Sequence, residues 1–295
     1  MNAAARAALA AYQCREISPE VTLMRLLLAC GNAAAMRDCL EAAAPPALRD
    51  LAKACRGHLE ATAGLVAAGL AAERTGSLAA VAAQFDDAAA RCPEAAVALY
   101  SLGSPDILDR GTAEIIERLR GWHVIGPGAR VLDIGCGIGR IERELAPEIG
   151  AIVGIDLSSA MIAEARRRCA NLPNVEFRQC GGAGLGGFAG RRFDLVLAVD
   201  VFPYLVAADP AIAAGHVADA ARLTGPGGAL VILNYSYRGD LARDRADVAA
   251  LAARHGFRVE RDGTRDLDLW DGATFLLRKP ITVSAGSVSA WPPRG

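Results

Sequence analysis

Val131-Leu-Asp-Ile-Gly-Cys-Gly-Ile-Gly-Arg140 sets the architecture of this chain. A short apolar run ends in three alternating glycines, and Ile141 and Leu145 then begin a helical pattern. Glycines at 135, 137 and 139 remove side chains where a ligand must approach the main chain, and they tolerate the positive φ of a tight strand-to-helix turn. The segment reads as a buried strand running into a turn that can cradle a nucleotide-like group.

Downstream, short β-branched runs at 130–134, 152–155, 175–178, 194–199 and 229–233 alternate with helical patterns. That alternation predicts βαβ units and a parallel sheet. Upstream the character changes. Residues 1–100 carry almost no strand signal, and breaks fall at Ser18-Pro19, Gly31-Asn32, Pro45-Pro46, Gly76-Ser77 and Pro93. Ser18-Pro19-Glu20 places a capping hydroxyl before a first-turn proline, followed by Val21, Met24, Leu27 and Leu28 at helical spacing, so a helix is predicted over 19–30. Further helices are predicted over 33–43, 46–72 (with Gly57 or Gly64 as candidate breaks), 77–91 and 106–120. The expected organisation is a helical N-terminal domain over 1–100, an α/β domain over 101–283 and a Ser/Gly/Pro-rich tail over 284–295.

With 53% hydrophobic and 22% charged residues the chain can build a substantial core. Thirty-two basic residues face 33 acidic ones, a net charge of −1, so no overall positive field exists to hold a nucleic-acid backbone. Arg166-Arg167-Arg168 reads as a solvated helix face. Cys14, Cys30, Cys39, Cys55, Cys92, Cys136, Cys169 and Cys180 form no CxxC pair and read as reduced, small core residues. The alanine-rich start lacks a signal-peptide pattern, and the most apolar stretch, 61–72, falls short of the ~20 residues a membrane span needs. A cytoplasmic, membrane-free protein without a metal site is expected. His123, His216 and His255 read as surface histidines.

The glycine spacing separates two nucleotide-binding turns. A dinucleotide fingerprint places its third glycine five residues after the first, where this chain has Arg140. The spacing here is GxGxG, with Asp133 two residues before it, and it resembles motif I of the class I S-adenosylmethionine-dependent methyltransferases. The likeness continues in order: Ile155-Asp156 closes the second strand, Leu157-Ser-Ser-Ala-Met161 begins the next helix, and Phe193–Asp200 forms the fourth strand. Leu223-Thr-Gly-Pro-Gly-Gly228 and 229–233 then supply a glycine-rich turn and the fifth strand. The resemblance covers roughly residues 105–280.

It implies an α/β fold: a Rossmann-like, mostly parallel seven-stranded sheet with helices on both faces, here preceded by an all-helical N-terminal domain. It also implies a small-molecule methyltransferase that uses S-adenosyl-L-methionine and releases S-adenosyl-L-homocysteine. Carried over by position, the backbone of Gly135, Cys136, Gly137 and Gly139 flanks the methionine portion, and Asp133 organises the turn and the amino end. Asp156 binds the ribose, Leu157 and Met161 pack on adenine, and Asp200 and Val201 complete the cofactor set. The family often has an acid near adenine after strand three, whereas this chain reads Cys180-Gly-Gly-Ala-Gly184, leaving the main chain of Gly181, Gly182 and Ala183 for the adenine edge.

Open α/β sheets bind ligands beyond the carboxyl ends of their strands, which here carry Asp200-Val-Phe-Pro-Tyr204 and Asn234-Tyr-Ser-Tyr237. Tyr204 and Tyr235 are the candidates to face the acceptor, and a flat or aromatic acceptor would suit such a rim. The helical first hundred residues suit a cap over the pocket or a homodimer interface. Two rival readings are an NAD-dependent oxidoreductase and a non-catalytic S-adenosylmethionine-binding regulator.

Overall fold

A computed structural model describes residues 1–70 and 77–281. Among the described residues eight α-helices come first: α1 (Ala3–Gln13), α2 (Pro19–Cys30), α3 (Ala33–Ala43), α4 (Pro46–Ala54), α5 (Arg56–Ala67), α6 (Leu78–Arg91), α7 (Pro93–Val97) and α8 (Pro105–Gly121). The α2 boundaries follow from local chemistry. The Ser18 side chain accepts from Val21 N–H, Pro19 occupies the first turn where no donor is needed, and Gly31 closes the helix at φ 75°. The expected long helix over 46–72 is two helices, broken at Cys55 rather than at Gly57 or Gly64. Its final residues, 71–72, lie outside the described residues, as do Gly76 and the expected tail over 284–295.

The remainder alternates strands and helices: β1 (Arg130–Ile134), α9 (Arg140–Leu145), β2 (Ala151–Asp156), α10 (Ser159–Arg168), β3 (Val175–Gln179), β4 (Phe193–Val199), α11 (Phe202–Ala208), α12 (Pro210–Leu223), β5 (Thr224–Leu233), α13 (Leu241–His255), β6 (Arg258–Thr264) and β7 (Thr274–Arg278). They form a seven-stranded sheet of order β3-β2-β1-β4-β5-β7-β6, parallel except where β7 pairs antiparallel with β5 and β6. The order reverses between β1 and β4, which opens a crevice beyond their carboxyl ends, the place where doubly wound sheets hold ligands.

Successive strand residues point to opposite faces, and both faces are apolar. Val131, Ile152, Leu195, Leu197 and Val231 join one core with Ile107, Ile115, Ile116 and Leu119 of α8 and with the helices before it. Leu132, Val153, Val196, Leu230 and Ile232 join a second core with α11, α12 and α13. The N-terminal helices are thus packed against one face of the sheet. Polar ties reinforce this: Ser18 Oγ donates to Leu269 O at 2.9 Å, Leu269 N–H donates to Glu114 at 3.1 Å, and Arg25 pairs with Asp271.

Several surface expectations are corrected by burial. His216 is buried, its ring bonded to Ile212 O at 2.9 Å. Cys14 is exposed, whereas Cys39, Cys55, Cys92, Cys136 and Cys169 are core residues. Arg167 is solvated as expected, but Arg168 is largely covered and bridges Glu164 of its own helix to Glu94 of α7. Among the described residues no helix is long and apolar enough to cross a membrane.

Candidate active site

The glycine turn between β1 and α9 needs its glycines. Gly135, Gly137 and Gly139 adopt φ 74°, 54° and 76°, in the left-handed region where a Cβ costs energy. A Cβ on Gly135 would lie 2.7 Å from Val201 Cγ2, and one on Gly137 would lie 2.6 Å from Val97 Cγ1. Elements from both halves of the chain therefore close on the turn. Cys136 contributes backbone only, since its thiol is buried with Ile162, Ala165, Cys169 and Phe177.

Asp156, at the end of β2, reaches back to the turn. Its Oδ2 accepts Gly137 N–H and its Oδ1 accepts Ser158 N–H, both at 2.9 Å. Each carboxylate oxygen retains a second lone pair for a ligand hydroxyl. Burial raises the pKa of this carboxyl, although the Ser158 and Gly137 N–H groups oppose the shift. Next to it, Leu157 Cδ2 lies 2.5 Å from the place a Gly182 Cβ would occupy, and Leu78 Cδ1 of α6 lies 3.0 Å from it. Leu157 and Gly182 thus meet, with Gly181 and Ala183 exposed beside them. Met161, expected against adenine, is instead 1% exposed and part of the core.

Asp133 is buried in β1. Arg140, also buried, starts α9 and donates from Nη1 to Thr112 Oγ1 at 2.9 Å. Burial raises Asp133 while the Arg140 guanidinium works against that shift. The Tyr100 hydroxyl is buried near Arg140, and its ring stacks on Trp270 at 6.2 Å.

The ends of β4 and β5 carry two non-glycine residues in the left-handed region, Asp200 (φ 57°) and Asn234 (φ 69°). Asn and Asp tolerate this conformation better than most residues. It brings them together: Asn234 Nδ2 donates to Asp200 Oδ1 at 2.9 Å, and Tyr237 Oη donates to Asp200 Oδ2 at 2.7 Å. Burial lifts Asp200 to about 6, against the bonds from Tyr237 and Asn234. Tyr204 packs edge-on against Phe85 of α6 at 5.2 Å and against Tyr237 at 5.8 Å. Tyr237 is 61% exposed although its hydroxyl turns inward onto Asp200. Tyr235, expected to face the acceptor, is 3% exposed and lies between Phe202 and Phe275, so the rim aromatic is Tyr237.

Sequence reasoning missed the contributions from residues 78–97. Asp86 of α6 accepts Ser158 Oγ at 2.6 Å and Ala160 N–H at 2.9 Å, which ties α6 to the start of α10. Nothing local in the α6 sequence signals this, because the partner is more than seventy residues away.

The donor set suits a cationic sulfur nucleoside. It offers a carboxylate with spare lone pairs for ribose, the apolar side chain of Leu157 next to that carboxylate for a base, and buried acids near the turn for positive charge. Comparison with known proteins agrees with this chemistry. Residues 131–228 match the model of the family described as a methyltransferase domain. The demethylmenaquinone methyltransferase of Tropheryma whipplei (strain Twist) is 34% identical over 110 residues, covering 37% of this chain and 43% of the relative. That of Beutenbergia cavernae is 34% identical over 158 residues, covering 53% and 58%. Phosphoethanolamine N-methyltransferase 1 of Haemonchus contortus, solved with phosphoethanolamine and S-adenosylhomocysteine, has TM-score 0.52 at 17% identity over 68% of this chain and 48% of that chain, a likeness of fold. The chain spans 43% and 58% of the length of these two curated relatives. The matched stretch lies wholly within the sheet half of the molecule, running from β1 to the start of β5.

Proposed function

We propose that this chain binds S-adenosylmethionine across the glycine turn and transfers its methyl group to a small-molecule acceptor with a flat or aromatic ring. The observation that carries the reading is Asp156, held by Gly137 N–H on one oxygen and by Ser158 N–H on the other, at the end of the strand beside the turn. In this reading Asp156 accepts the ribose hydroxyls, and Leu157 with the main chain of Gly181, Gly182 and Ala183 borders the base. Gly135, Cys136, Gly137 and Gly139 line the amino-acid portion with backbone alone. Asp133 faces the amino group and Arg140 is the nearby cation for the carboxylate. When bound, the sulfonium supplies a methyl group poised for displacement.

The protein then has to align an acceptor with that methyl, and holding two reactants in a near-attack geometry can lower a barrier by ~7–11 kcal/mol. The aromatic rim of Phe85, Tyr204 and Tyr237 offers edges and faces for a planar acceptor, with Asp200 at its base and Val201 against Gly135 of the turn. Asp200, ionised above about 6 and bonded to the Tyr237 hydroxyl, is placed to take a proton from an acidic acceptor group. The quinone-type acceptors named for the curated relatives accord with a flat substrate. The test is product mass spectrometry with methyl-labelled S-adenosylmethionine against a panel of phenols, quinols and amines. Label in an aromatic product supports the reading; cofactor binding without transfer to any compound supports a regulatory protein.

A further inference from the structure

Glu142, on α9 behind the glycine turn, is fully buried, and among the described residues no N–H or O–H of another residue donates to either of its oxygens. An unpartnered buried carboxylate is too costly to keep, so its environment must hold a proton for it. Two observations show where the group belongs. A Cβ on Gly154 of β2 would collide with Glu142 Oε1, and the same Cβ would lie 2.8 Å from Cys136 Cβ and 2.9 Å from the Phe177 ring. The missing side chain of Gly154 makes room for this carboxyl. Within that hollow Glu142 meets the carboxyl of Asp133, which is itself buried and has no other donor on Oδ1. Two buried carboxyls in contact cannot both be ionised.

We infer that Glu142 is a neutral carboxylic acid that donates its hydrogen to Asp133, positioning Asp133 as an anion toward the amino group of the bound nucleoside. The inference rests on the cofactor reading above for its ligand, and on the Gly154 hollow for its geometry. The charged and titratable groups facing the pair are Arg140 on α9, Asp156 at the end of β2, and the thiols of Cys136 and Cys169. Arg140 is the cation among them and stabilises one negative charge on the pair; Asp156 and the low polarity of the thiols oppose a second. Burial first, and then the Asp133 charge, hold Glu142 well above the usual carboxylate range. Glu142 is a positioning residue, since it acts through Asp133.

The test uses Glu142→Gln, a neutral side chain that still donates a hydrogen bond, and Glu142→Leu, which does not. Calorimetry with S-adenosylhomocysteine should give Glu142→Gln an affinity within about threefold of wild type. Glu142→Leu should bind about ten- to a hundredfold more weakly, the size of losing a hydrogen bond to a charged group. A second readout needs no ligand. The unfolded Glu142 ionises above ~4.3 while the folded one stays neutral, so wild type loses stability relative to Glu142→Gln as pH rises above that value. Thermal melts from pH 4 to 8 should show the melting-temperature difference widening in favour of Glu142→Gln. Loss of affinity in Glu142→Gln equal to that in Glu142→Leu, or a pH-independent melting difference, overturns the inference. If wild type itself fails to bind S-adenosylhomocysteine, the cofactor reading fails, and the pH-dependent melting difference still decides the state of the pair.

Discussion

Replacing Asp156 by Asn tests the ribose assignment with little change in shape. Asp156 presents two acceptor oxygens, each already taken up by one backbone N–H at 2.9 Å. Asn has one acceptor, and its amide NH2 must turn against the N–H of Gly137 or of Ser158. A buried donor left unpaired costs about 1–3 kcal/mol, so the folded state should melt several degrees lower. The second consequence falls on the ligand: one oxygen that could accept a ribose hydroxyl becomes a donor. Loss of a hydrogen bond to a charged group, about 1.5–3 kcal/mol, weakens binding roughly ten- to a hundredfold. Calorimetry with S-adenosylhomocysteine reads the affinity, and thermal melts without ligand read the stability. An unchanged affinity alongside a lowered melting temperature would show that Asp156 serves the turn and not the ribose, and the reasoning above would be refuted.

Three further outcomes are expected. Gly137→Ala places a Cβ at φ 54° and 2.6 Å from Val97 Cγ1, so it should destabilise by at least ~1–2 kcal/mol, with Val97→Ala restoring part of the loss in denaturant melts; no coupling between the two would separate Val97 from the turn. Asp86→Ala removes the acceptor shared by Ser158 Oγ and Ala160 N–H, and hydrogen exchange should quicken in α6 and the first turn of α10 while the central strands stay protected. Asp200 titrates near 6 in the folded chain against ~3.9 unfolded. The folded chain therefore binds the extra proton between these values, and stability contributed by this group falls as pH rises through that window; melts of Asp200→Asn should lack that part of the slope.

Much of this architecture was legible because its signals are local. The 131–140 segment contains its own strand, turn and helix start, and its glycines announced the positive φ values that the turn adopts. Ser18-Pro19 and Gly31 likewise wrote the ends of α2 into neighbouring residues. What escaped was set by distant packing. Tyr235 and Tyr237 share a parity in sequence, and only the left-handed Asn234 and the bond to Asp200 bring the latter to the rim while the former sinks between Phe202 and Phe275. Met161 looked like a pocket residue by its place in the motif, yet tertiary packing takes it into the core. Leu78, Phe85, Asp86 and Val97 approach the site from a helical region whose alanine-rich pattern gives no hint of which sheet end it covers. Arg140 distinguished the glycine spacing from a dinucleotide turn, but its burial beside Thr112 depends on α8.

The central claim is that the turn and Asp156 form a seat for a sulfur nucleoside rather than for a dinucleotide. Parallel calorimetric titrations of the full chain with S-adenosylhomocysteine and with NAD test it most directly. Saturable binding of S-adenosylhomocysteine with none of NAD is the predicted result; binding of NAD alone would contradict the account.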